Sequence, residues 1–222
     1  KTFAVAKTLF RQPIKVSCDL DILVPVSDFQ EAATVLLGSG YQRFRDHTTP
    51  DATTRPTGDF YLPLGEEIFI KGTFTVELHT TLVDTIAFPS RILNEQLNRQ
   101  LTQELYARTV IHLYRGVPVR IFDPSSLFLG LFIHTLYQHN YQSILRYYEA
   151  ARLLLVSREA MDWIYIHDVI KRYRWSAYYY WYLCLLNDFF PEVLPSKIRV
   201  LGQKYMQSLN PVQVMLYAFL KR

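Results

Sequence analysis

Two stretches of alternating polar and apolar residues organise the first half of the chain. In the first, Asp19 and Asp21 alternate with Leu20, Ile22 and Val24. Side chains two residues apart on a strand share a face. The pattern therefore predicts a strand with two carboxylates on one face and an apolar opposite face that can be buried.

The second alternating stretch covers residues 73–80. Its apolar residues occupy every second position, and Thr75, Glu77 and His79 occupy the positions between them. Strict alternation is typical of a half-buried strand. A third carboxylate is thus predicted on the polar face of a strand, as Asp19 and Asp21 are.

Other elements of the first half follow from turn and cap signals. Ser27 and Gln30 form a capping-box pattern, so we expect a helix that starts at Asp28 and stops near Gly38 or Gly40. The remaining predictions are a short helix over 1–10, strands over 41–45, 59–64, 67–71 and 117–122, and a helix over 90–108.

The second half of the chain is predicted to be helical. Asp123 at an N-cap followed by Pro124 is a strong helix start, and Asn210-Pro211 repeats the signal. Six helices are predicted, over 124–139, 141–156, 158–174, 175–189, 196–208 and 211–221. The fold class is therefore α+β, with an α/β domain over 1–122 that contains a mixed sheet and a helical domain over 123–222.

Composition narrows the possible partners and the compartment. The 222 residues are 50% hydrophobic, which suffices for a core, and the net charge of +4 is modest for a nucleic-acid binder. Cys18 and Cys184 lie far apart and indicate neither a zinc site nor a disulfide framework. This cysteine usage predicts a cytoplasmic protein. We expect no membrane span, because the longest apolar run, over 127–133, is too short.

The paired aspartates indicate a metal site. Two neighbouring carboxylates repel each other unless a positive charge lies between them, and Mg²⁺ prefers oxygen ligands. The alternative is that Asp19 and Asp21 are solvated on the open face of a sheet, with Glu77 a surface residue. The strand that carries Glu77 favours the metal site.

In the second half, residues 178–182 are four tyrosines and a tryptophan. Most of these side chains are predicted to lie in the core, and some of them are predicted to form a wall on which a base could stack.

His134 and His139 are five residues apart, a poor spacing for metal ligation on a helix, so we expect them to be packing or capping residues.

Several segments in order resemble the bacterial family of uncharacterised nucleotidyltransferases, within the DNA polymerase β-like superfamily. The matching segments are Lys15 with the Asp19-Leu20-Asp21 strand, Gly40-Tyr41, Val76-Glu77-Leu78-His79 and the helical segment 132–139. Two positions depart from the family pattern: Lys15 stands where arginine is frequent, and Thr2 stands where a phosphate-binding glycine is expected.

This resemblance implies a reaction and a set of ligands. Asp19 and Asp21 would bridge two divalent metals, Mg²⁺ or Mn²⁺, and Glu77 would hold the catalytic one. An NTP, expected to be ATP, would donate its nucleoside monophosphate to a hydroxyl and release pyrophosphate. Apart from the resemblance, Lys15, Lys71 and Arg11 are candidates for contacts with phosphate. His79 shares the polar face with Glu77 and is expected to orient the site or to make a structural hydrogen bond.

Three functions remain open from the sequence. The first is nucleotide transfer to a small molecule, peptide or saccharide. The second is transfer to an RNA end, which the modest charge disfavours. The third is a catalytically impaired protein that binds a nucleotide or a partner protein, which the altered first motif favours.

Overall fold

A computed structural model describes residues 19–44, 66–82, 95–138 and 144–207. These residues fall into two compact units that divide between Glu104 and Leu105. The elements predicted over 1–10, 59–64 and 211–221 lie outside the described residues. The domain boundary near residue 122 stays a prediction.

The first unit is built on a four-stranded mixed sheet. Its strands are β1 Asp19–Leu23, β2 Gln42–Arg43, β3 Glu66–Lys71 and β4 Phe74–His79, in the order β1-β4-β3-β2. The pairing of β1 with β4 is parallel, and the other two pairings are antiparallel. The predicted α+β class with a mixed sheet is confirmed.

One face of this sheet forms a core with helix α1, Phe29–Gly38. Phe29 and Ala33 of the helix are buried in one cluster with Phe69, Val76 and Leu78 of the strands. The predicted alternation in β4 is thus confirmed for its two central apolar residues. Its first apolar residue is exposed, because that end of the strand leaves the core.

The predicted capping box at the start of α1 is wrong. Residues Val26–Asp28 form a short 3₁₀ turn, in which the Asp28 N–H donates to the Pro25 carbonyl at 3.0 Å. Ser27 therefore lies inside the turn instead of at the N-cap, and its hydroxyl donates to the Asp28 carboxylate at 2.6 Å. The α-helix begins at Phe29, one residue later than predicted, with no side-chain cap.

Helix α1 ends in a Schellman motif that explains the Gly40-Tyr41 pair. The Tyr41 N–H donates to the Leu36 carbonyl at 3.1 Å, and the Gly40 N–H donates to the Leu37 carbonyl at 3.0 Å. Gly40 has a φ of 85°, a left-handed conformation that residues with a Cβ rarely adopt. Tyr41 and Leu36 both pack against the core of the unit.

A lysine from β3 completes this helix end. The Lys71 ammonium donates to the Ser39 carbonyl at 2.7 Å and lies 5.8 Å from the centre of the Tyr41 ring. A cation at the C-terminus of a helix stabilises the helix dipole. Lys71 therefore joins β3 to the end of α1.

The second unit begins within helix α2, Glu95–Ala107, and continues with a hairpin. Strand β5, Thr109–Tyr114, was not predicted, and it pairs with the predicted β6, Val117–Phe122. Arg115 and Gly116 form the two-residue turn, both with positive φ. Within the described residues, five α-helices follow: α3 Pro124–Gln138, α4 Ile144–Ser157, α5 Trp163–Arg172, α6 Ser176–Phe189 and α7 Ser196–Gln207.

The predicted helix start at Asp123 is confirmed. Its carboxylate accepts the N–H of Ser126 at 2.7 Å and a hydrogen bond from Arg108 Nε, also at 2.7 Å. The Arg108 guanidinium also lies 3.9 Å from the centre of the Tyr165 ring, on α5. Asp162 caps α5, and its Oδ2 atom lies 3.4 Å from Nη2 of Arg108. Arg108 therefore links the starts of α3 and α5.

Aromatic side chains fill the core of the second unit. The Tyr182 ring stacks on the Tyr147 ring at 5.1 Å and meets Phe132 edge-on at 5.4 Å. Tyr179 is fully buried and also meets Phe132 edge-on, at 5.7 Å. The core interpretation of the 178–182 segment is confirmed for its two buried tyrosines. Within the described ranges, every helix is too short or too polar to cross a membrane.

A cleft of about 540 Å³ lies between α6 and α7. Cys184 and Asp188 on α6 line it, opposite Arg199 and Gly202 on α7. Burial and the negative charge of Asp188 raise the pKa of the Cys184 thiol to about 11. Thiols react as thiolates, so Cys184 is not equipped as a nucleophile at neutral pH.

We predict that alanine destabilises the protein at only one of the two glycines near the end of α1. Gly40→Ala should lower the free energy of unfolding by about 1–2 kcal/mol, because a Cβ opposes the left-handed conformation. Gly38→Ala should leave it unchanged or raise it by up to about 1 kcal/mol, because Gly38 is helical and no atom lies within 4 Å of the added Cβ. Urea unfolding measures both, and equal losses of stability would contradict the Schellman assignment.

We predict that Cys184 alkylates slowly near neutral pH. In a Cys18→Ser background at pH 8, iodoacetamide should modify it on the order of 100-fold more slowly than an ordinary thiol, because little thiolate is present. The rate should rise as the pH approaches 11. Mass spectrometry follows the reaction, and protein unfolded in urea is the control that should react normally. Fast alkylation of the folded protein at pH 8 contradicts the shift.

Candidate metal centre

The parallel pairing of β1 with β4 places two predicted acidic residues side by side. Asp21 is paired with Glu77 in the register of the two strands. Their neighbours Ile22 and Leu78 are also paired, and these contribute to the core below the sheet. Because side chains alternate along a strand, both carboxylates lie on the opposite face. That face is the polar one predicted from the sequence.

His79 joins the two carboxylates at the end of β4. Its Nε2 atom lies 3.2 Å from Asp21 Oδ1 and 3.6 Å from Glu77 Oε2. One oxygen or nitrogen from each of the three residues lies within 4.8 Å of the other two. We refer to Asp21, Glu77 and His79 as the acidic–histidine cluster.

The acidic–histidine cluster is largely shielded from solvent. The side chains of Asp21, Glu77 and His79 are 17%, 23% and 10% exposed. Electrostatic interactions are stronger where water is scarce, so two carboxylates at this spacing repel each other appreciably. A cation between them, or a histidine proton shared with them, offsets this repulsion.

The donor set fits a divalent metal ion. Donors in adjacent positions of an octahedral ion lie about 3 Å apart when the metal–ligand distances are about 2.0–2.2 Å. The two nitrogen–oxygen distances in the cluster, 3.2 and 3.6 Å, are close to that spacing. Carboxylate oxygen and imidazole nitrogen are common protein ligands of divalent metals.

The other predicted ligands of the aspartate strand are described only in part. The backbone of Asp19 is paired with Thr75 on β4, and its side chain lies outside what the structure describes. Lys15 and Arg11 lie outside the described residues. Their roles in metal and phosphate binding stay predictions.

The structure does not bring Lys71 to the cluster. Lys71 on β3 is paired with Phe74 on β4, and Glu77 lies three residues after Phe74 on that strand. Three residues of a strand span about 10 Å. The Lys71 ammonium is also engaged at the end of α1, where it donates to Ser39.

The direct contact of His79 with both carboxylates goes beyond what the sequence indicates. The available signal is its spacing, two residues after Glu77 on the same strand. That spacing places both side chains on one face of β4, but it does not show that the imidazole reaches across to β1.

The two histidines predicted to have packing or capping roles lie elsewhere. His134 is half-buried in α3, and His139 lies outside the described residues.

The comparisons with known proteins identify a family. A family model described as uncharacterised nucleotidyltransferase matches residues 5–191. No curated protein and no solved structure gives a significant match. The matched segment includes β1, β4 and the whole acidic–histidine cluster, and it takes in well over half of the chain. The chain therefore belongs to the family of uncharacterised nucleotidyltransferases, and it is a transferase by class.

Proposed function

We propose that the protein transfers a nucleoside monophosphate from an NTP to a hydroxyl of a small molecule, peptide or saccharide, with release of pyrophosphate. Membership in the nucleotidyltransferase family supports the reaction class. The observation that carries the assignment to a site is the register of β1 and β4, which sets Asp21 beside Glu77.

Asp19, Asp21 and Glu77 are the proposed ligands of Mg²⁺ or Mn²⁺, and ATP is the proposed nucleotide. When bound, such ions neutralise triphosphate charge and align the attacking and leaving oxygens. The chain's own contribution is to hold the two described carboxylates in fixed register, shielded from water, on a sheet whose other face is a packed core.

The proposed transfer forms one bond and breaks one bond. The acceptor oxygen bonds to the α-phosphorus while the bond from that phosphorus to the bridging oxygen breaks, and pyrophosphate leaves with the electron pair. The acceptor proton must go to a base. We assign Glu77 to this role, because its side chain, 23% exposed, is somewhat more accessible to an acceptor than that of Asp21, 17% exposed.

The acceptor class rests on charge and on the division of the chain. A net charge of +4 over 222 residues gives little of the phosphate attraction on which nucleic-acid binding depends. We propose residues 1–122 as the catalytic domain and residues 123–222 as the helical domain that selects the acceptor. We also propose the cytoplasm as the compartment, because Cys18 and Cys184 do not indicate a disulfide framework.

We predict that Asp21→Asn abolishes metal-dependent nucleotide binding and lowers nucleotide transfer roughly 100-fold or more, because it removes a negative ligand from the charge-stabilising centre. Isothermal titration with Mg²⁺ or Mn²⁺ and a non-hydrolysable ATP analogue measures binding. Thermal unfolding checks that the variant is folded.

The matched control for Asp21→Asn is Asp28→Asn. Asp28 is an exposed aspartate of the same unit, in the turn before α1, and its carboxylate makes no cap. This variant should bind like the wild type. Equal binding by the Asp21 variant overturns the proposed site. Binding with no transfer to any acceptor indicates the catalytically impaired alternative.

We predict that label from α-³²P-ATP moves to small metabolites, peptides or saccharides and not to RNA. Incubating the protein with separated fractions of a cell extract, followed by chromatography and gel analysis, distinguishes these acceptors. The Asp21→Asn variant gives the background for each fraction. Asp21-dependent label on total RNA, with none on the other fractions, would reassign the protein to RNA-end modification.

A further inference from the structure

We propose that His79 is itself a metal ligand through Nε2, and that the site consequently prefers Mn²⁺ and similar transition metals over Mg²⁺. This inference rests on the proposed function, because it concerns the same metal centre. It adds a nitrogen ligand to the carboxylates that the family resemblance implies.

The position of the imidazole carries the proposal. Its Nε2 atom lies near oxygens of two carboxylates that come from two different strands, Asp21 on β1 and Glu77 on β4. An ion held by both of these oxygens must lie between the two side chains, on the polar face of the sheet. The nitrogen faces that same space, at 3.2 and 3.6 Å from the two oxygens.

The distances among the three donor atoms favour His79 as a ligand of the same ion over His79 as a residue that only orients the carboxylates. Donors on one octahedral ion are separated by about 3 Å when adjacent and by about 4.3 Å when opposite. All three atoms of the acidic–histidine cluster lie within 4.8 Å of one another. Small side-chain adjustments therefore bring all three to one ion.

Burial and backbone pairing keep the imidazole in place. Backbone and side chain together, His79 is only 8% exposed. Its carbonyl accepts the N–H of Val24 at 2.9 Å, which extends the pairing of β1 with β4 past the cluster. A buried ligand on a paired strand is pre-positioned, so little ordering is needed when the metal binds.

Ligand chemistry then sets the metal preference. Mg²⁺ is a hard ion that takes oxygen ligands and retains several waters. Imidazole nitrogen suits first-row transition metals, and carboxylates suit Mn²⁺. A mixed set of two carboxylates and one imidazole therefore favours Mn²⁺ over Mg²⁺.

Electron spin-echo spectroscopy of bound Mn²⁺ tests the ligand directly. Wild-type protein loaded with Mn²⁺, alone and with a non-hydrolysable ATP analogue, should show ¹⁴N coupling typical of a bound imidazole. The coupling should change when the protein carries ¹⁵N-histidine and disappear in His79→Gln. His112→Gln, a change at a half-buried histidine of β5, should retain it.

The affinity for the two metals provides a second readout. Calorimetry should show that His79→Gln loses about 10-fold or more in Mn²⁺ affinity, with a smaller loss for Mg²⁺, because the loss of a residue that only orients a ligand already costs about 10-fold. His79→Asp, which offers oxygen in place of nitrogen, should narrow or reverse the preference for Mn²⁺. Circular dichroism checks folding, and if both variants unfold, the absence of imidazole coupling in Mn²⁺-loaded wild-type protein still overturns the ligand role.

The outcomes separate this inference from the proposed function. Mn²⁺ that binds in an Asp21-dependent way without imidazole coupling overturns the ligand role of His79 and leaves the nucleotidyltransferase site standing. Wild-type protein that binds neither metal, with or without the nucleotide analogue, overturns the metal centre itself and this inference with it.

Discussion

The in-register parallel pairing of β1 with β4 is the constraint on which the candidate site depends. Side chains alternate along both strands, so a shift of one residue would turn Asp21 into the core and leave Ile22 exposed. The packing of Val76 and Leu78 against α1 opposes such a shift, because it would expose apolar surface. The acidic–histidine cluster is therefore positioned by the apolar residues on the other side of the sheet.

The same unit separates the residues that stabilise it from those that carry its chemistry. Lys71 is a cation in the same small sheet, yet its ammonium binds the end of α1 and does not offset the charge of Asp21 and Glu77. A cation at this position stabilises the helix dipole, and the ammonium also binds the carbonyl of Ser39, directly after the last helical residue. His79 lies beside both carboxylates, and a cation held among the three side chains would offset the repulsion between the two negative charges.

The alternation of polar and apolar residues was enough to predict the strands that carry the site. It did not predict which residues from distant parts of the chain contact each other. Alternation along β1 and β4 predicted the shared polar face, because a strand's facing is a local property. The capping box failed because residues 26–28 turn before the helix starts, and that turn is not visible in the Ser27–Gln30 spacing. Strand β5 was missed because its sequence shows no clear alternation, and only its pairing with β6 defines it.

The resemblance of motifs located the carboxylates, but the structure distinguishes which neighbours on β4 can join them. Only the residues two before and two after Glu77 share its face. Thr75, the earlier of these, is paired with Asp19 and offers a neutral hydroxyl, whereas His79 offers a nitrogen to the Asp21 carboxylate. The histidine end of the strand is also the buried end. The chemistry of the centre is therefore set as much by the last residue of β4 as by the acidic residues that first suggest it.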